Sequence, residues 1–381
     1  MKTFQFFIII LLMLGSACGK EGTEKIDLSG TWQFKIDSLD RGVLEKWFNE
    51  DLSDTIQLPG SMAENGKGNA ISLDTKWTGN MWNDSLWYTS PKYAEYRQPG
   101  NIKVSFWLSP EKVYYGPAWY QKKVQVPESW RNQQINLHLE RTHWETMVWV
   151  DDQEVGMKNT LGTPHNYNLS HYLTPGEHAI TIRIDNRIQD IDPGLDAHSV
   201  SDNTQTNWNG IVGDIKLTVK SPVTIENVKL YTDVANKKVT VKGKLKSFMD
   251  GPKKCQLTIE VKAAGNSAQE NLESVVKDMT VDSEGRFEIE YPMGESPLLW
   301  DEFNPNLYVM QLSLESGQGT HQKEITFGMR EFKVDGKHFS VNGRTVFLRG
   351  TLECAIFPLT GYPPTDVDEW KRILKIVQNH G

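Results

Sequence analysis

The chain has 381 residues, of which 24% are charged and 38% hydrophobic, and a formal net charge of −8. That length predicts two or three domains rather than one core, and the composition excludes a disordered chain. No long basic run offsets the negative balance, which argues against a nucleic-acid partner. The 13 Trp, 12 Tyr and 14 Phe have two uses open to them, filling β-sheet cores or offering platforms for sugar rings.

At the N-terminus Lys2 precedes an unbroken apolar run from Phe4 to Leu14. The run is too short to span a bilayer as a stable helix, so residues 1–17 read as a signal peptide. Gly15, Ser16 and Ala17 then lead into Cys18. Small residues before a cysteine resemble a bacterial lipoprotein processing site. That resemblance implies that Cys18 becomes the lipidated first residue, with residues 18–26 as the lipidated cysteine and its polar tether. The expected location is then the periplasm, outer membrane or cell surface of a bacterium, with membrane contact only through a lipid anchor. Simple secretion with cleavage near Cys18 is the alternative. Beyond it only Cys255 and Cys354 remain, in different predicted domains and without a disulfide framework pattern, so both are expected as unpaired buried thiols. No Cys/His cluster has zinc-ligand spacing, and no metal or cofactor is expected.

Short strand patterns follow. Thr31 to Ile36, Trp119 to Val126, Ile135 to Leu139, Thr146 to Val150 and Ala179 to Ile184 alternate with period two, and turn clusters such as Thr174-Pro175-Gly176-Glu177 separate them. Many short strands with regular turns predict a β-sandwich over residues 27–221. The stretch from Pro59 to Pro117 breaks the rhythm and reads as an irregular insertion. Its Trp77, Trp82, Trp87 and Tyr88 serve either for stacking on sugar rings or for packing within the loop.

A second β block covers residues 222–329. Ile225 to Thr232, Lys238 to Lys246, Cys255 to Ala263, Arg286 to Tyr291 and Leu307 to Leu314 read as strands, and some seven strands in about a hundred residues suit an immunoglobulin-like sandwich. The charged stretch Asn266 to Lys277 is expected as a solvated loop. The character changes over residues 330–381. A hairpin is expected around Asp335-Gly336, then an apolar strand Thr345 to Leu348 ending in Arg349-Gly350. The clearest helix in the chain comes next. Thr365 is placed as its cap with Asp368 three residues on, Val367, Trp370, Ile373, Leu374 and Val377 line one face, and Gly381 stands as its C-terminal glycine. Strand, loop and helix make one βα unit, which cannot cover its own apolar faces.

Six segments in order resemble glycoside hydrolase family 2, the family of β-galactosidases, β-glucuronidases and β-mannosidases. They are Leu28-Ser29-Gly30-Thr31-Trp32; Trp119-Tyr120-Gln121-Lys122; Leu139-Glu140-Arg141 with Val148-Trp149-Val150-Asp151; Asn207-Trp208-Asn209-Gly210-Ile211; Trp300 with Asn304-Pro305-Asn306-Leu307-Tyr308; and Phe327-Gly328-Met329-Arg330 with Asn342-Gly343-Arg344 and Phe347-Leu348-Arg349-Gly350. The resemblance implies a mainly β chain: a jelly-roll sugar-binding domain, an immunoglobulin-like sandwich and the first βα unit of a truncated (β/α)8 barrel. After Gly350 the sequence Thr351-Leu352-Glu353-Cys354-Ala355-Ile356 departs from the Asn-Arg-His-Glu type of run common in β-galactosidases.

The family relation further implies a retaining O-glycosyl hydrolase acting on an oligo- or polysaccharide. A carboxylic acid and a carboxylate nucleophile stand roughly 5–5.5 Å apart across the bond in such enzymes, and the family places both on later barrel strands. The expectation is therefore no catalytic residue within the 381 residues, and no hydrolysis by this polypeptide alone. Candidate substrate-binding residues are Arg349, Glu353, Asn207 and Trp208. Arg349 follows a strand and offers a guanidinium fork for hydroxyls or carboxylates; a structural ion pair is its other use. Glu353 orients Arg349, touches a sugar hydroxyl, or is a solvated acid. Asn207 and Trp208 occupy a loop that approaches the pocket in the family, or else supply turn chemistry and a core indole. His143, His165, His171 and His198 carry no metal or catalytic signal. Two other readings stand beside a partial glycosidase: a non-catalytic glycan-binding surface lipoprotein, and an adhesive β-sandwich with no sugar role.

Overall fold

The period-two patterns are realised as antiparallel strands. A computed structural model of the protein describes residues 24–75, 90–102, 111–131, 133–188, 197, 200, 207–248, 253–264, 272–281, 285–317, 319–348, 350, 352, 357 and 362–380. Cys18, Trp77, Trp82, Trp87, Tyr88, His198, Arg349, Glu353, Cys354 and Gly381 lie outside the described residues.

The first domain has strands β1 (Lys25–Asp27), β2 (Gly30–Ile36), β3 (Asp54–Leu58), β4 (Gly60–Ser61), β5 (Asn69–Ala70), β6 (Lys112–Val113), β7 (Pro117–Val126), β8 (Gln134–Leu139), β9 (Glu145–Val150), β10 (Gln153–Asn159), β11 (His165–Asn168), β12 (Gly176–Asp185), β13 (Gly210–Ile211) and β14 (Ile215–Lys220). One sheet runs β10-β9-β12-β7-β2-β3 and a second runs β1-β14-β8-β11, with two short ribbons, β13-β4 and β5-β6. The inner faces meet in one core of Trp32, Phe34, Tyr120, Leu137, Ile182 and Leu217 among others. On β8, Ile135, Leu137 and Leu139 are buried while Asn136 and His138 turn outward. A one-residue slip would reverse that assignment, so the apolar face fixes the register.

Strand β7 departs from simple alternation, because Trp119 and Tyr120 are both fully buried. The outer face of its sheet is covered as well. There Trp119 stacks on Trp149 with ring centroids 5.1 Å apart, and Phe48 and Trp47 close over them. The segment after β2 forms this lid. The Asp37 carboxylate accepts from the amides of Arg41 and Gly42 and from Trp119 Nε1, each at 2.8–2.9 Å. A Cβ at Gly42 would lie 2.4 Å from Trp119 Nε1, so only glycine lets the chain lie flat on the indole. For Trp32, Trp47, Trp119, Trp130, Trp144 and Trp149 the core-filling role is the one observed.

The second domain has seven strands: β15 (Val223–Asp233), β16 (Lys238–Ser247), β17 (Lys253–Ala263), β18 (Val275–Val281), β19 (Arg286–Pro292), β20 (Tyr308–Ser316) and β21 (Gly319–Phe327). They form facing sheets β15-β16-β19 and β18-β17-β20-β21, with Val239, Val241, Leu257, Ile259, Tyr291 and Leu312 in the core. One expectation fails here. Val275, Val276 and Lys277, assigned to a solvated loop, begin β18 and pair with Ile259, Thr258 and Leu257. Four charged residues from Glu270 to Asp278 obscure the alternating Val275, Met279 and Val281 that carry the strand. Cys255 is a free, buried thiol, as expected.

The third region carries β22 (Phe332–Asp335), β23 (His338–Val341), β24 (Arg344–Val346) and helix α1 (Val367–Asn379). The hairpin turns at Asp335-Gly336 as expected, with Gly336 at φ 58°. The following strand does not behave as a buried barrel strand. It stops at Val346 as the third member of an antiparallel meander, and Phe347 and Leu348 are 81% and 59% exposed. A parallel strand needs neighbours on both sides and cover on both faces, and the described residues supply neither. Trp300 anchors the meander: its amide donates to Met329 O, its carbonyl accepts from Asn342 Nδ2 at 3.0 Å, and Arg330 lies over its ring. Helix α1 is capped by Asp366 rather than Thr365. Asp366 is the last extended residue, and its carboxylate accepts from Glu369 N at 2.7 Å. The apolar stripe is exposed on the described surface, with Val367, Leu374 and Val377 at 68%, 57% and 51%.

One buried group gives the first domain a titratable weak point. His165 is fully buried, its Nδ1 lies 2.6 Å from Thr146 Oγ1, and its Nε2 lies 2.9 Å from Thr160 O. With Nε2–H donating to the carbonyl, Nδ1 accepts from the hydroxyl and the ring is neutral. Burial holds its pKa below the ordinary value of 6.5. Below that pH the unfolded chain takes up a proton that the folded chain refuses, so folding stability falls as pH drops from neutrality. The limiting slope is about 1.4 kcal/mol per pH unit. Urea titrations at successive pH values from neutral to mildly acidic are expected to show this loss, and a His165→Gln variant to show a shallower one. Identical pH dependence in the two proteins would sink the assignment.

Candidate functional site

The loop Asn207-Trp208-Asn209-Gly210 is held at one end of the first sandwich by backbone and amide bonds. Gly210 and Ile211 pair with Ser61 and Gly60, and Met62 N donates to Asn209 O at 2.8 Å. Gly210 sits at φ 142°, and a Cβ there would lie 2.5 Å from Gly60 O. Only glycine allows β13 and β4 to approach this closely. On the other side His143 N donates to Gly210 O and Val212 N to Arg141 O.

The amide of Asn209 is the central fastener. Its Nδ2 donates to Gly116 O at 2.9 Å and Ile184 O at 3.0 Å, and its Oδ1 accepts from Tyr120 Oη at 2.6 Å. It therefore joins the start of β7, the end of β12 and the core tyrosine. Asn207 plays a related part, exchanging bonds with the neighbouring strand end: its Oδ1 accepts from Asn186 Nδ2 at 3.0 Å and its Nδ2 donates to Asn186 O at 2.9 Å. Of the two candidate residues on this loop, Asn207 is buried and bonded within the fold, whereas Trp208 is half-buried and reaches the rim.

Trp208 is flanked by residues that sequence reasoning had set aside. The His143 ring stacks on it with centroids 4.7 Å apart, and His143 Nδ1 donates to Trp208 O at 2.7 Å. Tyr362 tilts against the same indole at 5.6 Å. Tyr362 Oη donates to Glu64 Oε2, and Arg141 Nη1 makes a long 3.5 Å contact with Pro363 O. Burial first, then the Glu64 carboxylate, push the Tyr362 phenol well above its ordinary value, so it remains a donor at any physiological pH. An indole face, a carboxylate and a guanidinium thus share one rim. Aromatic faces accept the C–H side of a sugar ring, and the charged pair suits its hydroxyls. Among the described residues no group of three His, Cys, Asp or Glu converges to hold a metal ion. Arg349 and Glu353 fall outside the described residues.

Two β-sandwiches in tandem, the first with an aromatic rim at one end, define a multidomain class of β protein, and similarity to known proteins narrows it to a family. Residues 26–222 match the family model for the sugar binding domain of glycosyl hydrolases family 2, and residues 223–330 match the glycosyl hydrolases family 2 domain. The chain belongs to glycosyl hydrolase family 2. A β-glucuronidase of Paenibacillus borealis is 23% identical over 342 residues, covering 85% of this chain and 48% of the relative. A β-galactosidase of Priestia megaterium is 23% identical over 332 residues, covering 85% and 30%. The solved Bacteroides uniformis β-glucuronidase 2, covalently bound to cyclophellitol-6-carboxylate aziridine, superposes with a TM-score of 0.66 at 18% identity, over 94% of this chain and 38% of that one. The Ruminococcus gnavus β-glucuronidase gives 0.60 at 16%, over 87% and 49%. The chain spans about half or less of the length of these relatives.

The fastening role of Asn209 has a measurable consequence. Replacing it with alanine strands the Tyr120 hydroxyl and two strand-end carbonyls in the interior, at an expected cost of about 3 kcal/mol. The denaturant midpoint of Asn209→Ala should fall accordingly, while its near-ultraviolet spectrum at low denaturant stays native-like. A loss below about 1 kcal/mol would show that the amide is dispensable.

Proposed function

We propose that this chain supplies the sugar-binding and immunoglobulin-like portion of a retaining family 2 glycosidase acting on a β-galactoside or β-glucuronide. In this reading its Trp208 rim forms one wall of the glycone pocket. The observation that carries it is the convergence of Trp208, Glu64 and Arg141 on the segment 362–363, which leads into helix α1. The two carboxylates that break the glycosidic bond come from a catalytic portion that packs on the exposed stripe of α1, and Arg349 and Glu353 contribute to binding the sugar. The names of the relatives support the substrate class, since those proteins are β-glucuronidases and β-galactosidases.

Two measurements test this. The 381-residue chain, assayed against chromogenic β-galactosides and β-glucuronides, is expected to show no turnover above buffer. On an array of β-linked glycans it is expected to bind, with Trp208→Ala weakening that binding about tenfold, the loss of one stacking contact. Turnover by the chain itself, or binding indifferent to Trp208, would overturn the reading.

In the same reading Cys18 bears a lipid that holds the protein at a bacterial envelope, supported by the apolar run and the small residues before it. Expression in a bacterium fed labelled palmitate should label the wild type but not Cys18→Ser. An unlabelled wild type would leave plain secretion in its place.

A further inference from the structure

We infer that Tyr362 is a positioning residue, a two-point latch that ties the segment entering α1 to the β4–β13 ribbon and sets the angle of the Trp208 wall. Its purpose rests on the sugar-pocket reading above, although its geometry does not.

Both attachment points of Tyr362 lead to the same ribbon. Its ring meets Trp208, two residues before β13. Its hydroxyl meets Glu64, on the turn that leaves β4. That turn is rigid. Glu64 N donates to Ser61 Oγ at 3.1 Å, and Asn65 Nδ2 donates to Ser61 O and Gln57 O at 2.9 and 3.1 Å. A carboxylate on so fixed a turn fixes the phenol that donates to it, and a hydrogen bond to a charged group is among the stronger kinds. The neutral phenol persists because burial and that carboxylate both disfavour its ionised form.

From Tyr362 the constraint runs forward into α1. Pro363 and Pro364 follow directly, and their fixed φ leaves little backbone freedom to absorb a displacement. Trp370 Nε1 then donates to Pro364 O at 2.9 Å, and Asp366 caps the helix. Tyr362 is only 9% exposed, while Leu352 before it and Val367 after it are 86% and 68% exposed. The tyrosine is thus buried where Leu352 and Val367 are exposed. Moving it would tilt Trp208 on one side and the first turn of α1 on the other.

Hydrogen exchange of the full chain, followed by mass spectrometry, tests the coupling. Tyr362→Ala and Glu64→Ala are each expected to speed exchange about tenfold in two peptides, one spanning residues 62–68 and one spanning residues 364–370, as expected for loss of one charge-assisted bond. The double variant should add nothing beyond the larger single effect, because both remove the same contact. Tyr362→Phe, which keeps the ring against Trp208 and loses only the hydroxyl bond, should match Glu64→Ala. Peptides from β8 and β17 should stay at wild-type rates, showing that both sandwiches remain folded. Effects confined to the peptide that carries the substitution, or additive effects in the double variant, would overturn the latch. Coupled exchange with no glycan binding would remove the sugar-pocket reading and leave the latch standing, and glycan binding with uncoupled exchange would do the reverse.

Discussion

The side-chain amide of Asn209 is the constraint from which the rim is built. It is 2% exposed and bonds to the core hydroxyl of Tyr120 and to carbonyls at the ends of two central strands. The end of a sandwich is where strand carbonyls run out of ladder partners, and an unpartnered buried carbonyl is expensive. One asparagine at the right height meets that demand and at the same time dictates where its chain neighbour must stand. Trp208 is presented at the rim because the residue after it is locked inward. Asn207 and Asn186 repeat the arrangement one step away. A satisfied amide network in a low-dielectric interior is stiff, because any member that moves leaves another without a partner.

A second layer of the same logic stiffens the sheet behind it. The lid of Trp47, Phe48 and Asp37 turns what would be a solvated outer face into a small second core. At β12 the cation Arg183, itself 5% exposed, lies beside Asp185, Asp40 and Glu145. Against the desolvation that burial imposes, Arg187 and Arg183 hold the Asp40 carboxyl below its usual range. Removing one partner would leave a buried charge uncompensated, which costs more than the intact cluster contributes. The charges and the indole lid act on the strands that end at Asp185 and begin at Pro117, next to Asn186 and Gly116, so they support the amide network from outside.

Much of this was legible in the sequence and some was not, for identifiable reasons. Strands with one wet face announce themselves by alternation, as β2, β8 and β16 do, and the Asn-Trp-Asn-Gly run marked the rim loop. Strand β18 was hidden because charged residues crowd its start, and β24 was overextended because an apolar run looks the same whether it enters a parallel sheet or ends in the open. The site partners were hidden by distance along the chain. His143 reaches Trp208 across 65 residues and Tyr362 reaches Glu64 across 298, and no local pattern in a single sequence encodes such pairs. Glu64 reads as a turn residue between Ser61 and Gly66, and His143 as a stray histidine beside a strand. Only the fold shows that His143 stacks on the Trp208 indole and that Glu64 holds the tyrosine packed against it.

The C-terminal region states the remaining physical problem most clearly. A helix of 13 residues is marginal by itself, since nucleation is costly and propagation adds little per residue. The cap on Asp366 adds about 1 kcal/mol, and the exposed pairs Lys371–Asp368 and Arg372–Glu369, open to solvent, add little. The apolar stripe offers far more, because burying one aliphatic side chain is worth about 1.5–3 kcal/mol, but on the described surface that stripe is open. What the described contacts do provide is a fixed starting point. The helix is held at its N-terminal end, through Trp370, Pro364 and Tyr362, by the ribbon that also carries Trp208. A helix anchored at one end and apolar along one side has its direction set by the anchor and its stability set by whatever covers the side. On that division the first sandwich sets the line along which α1 leaves.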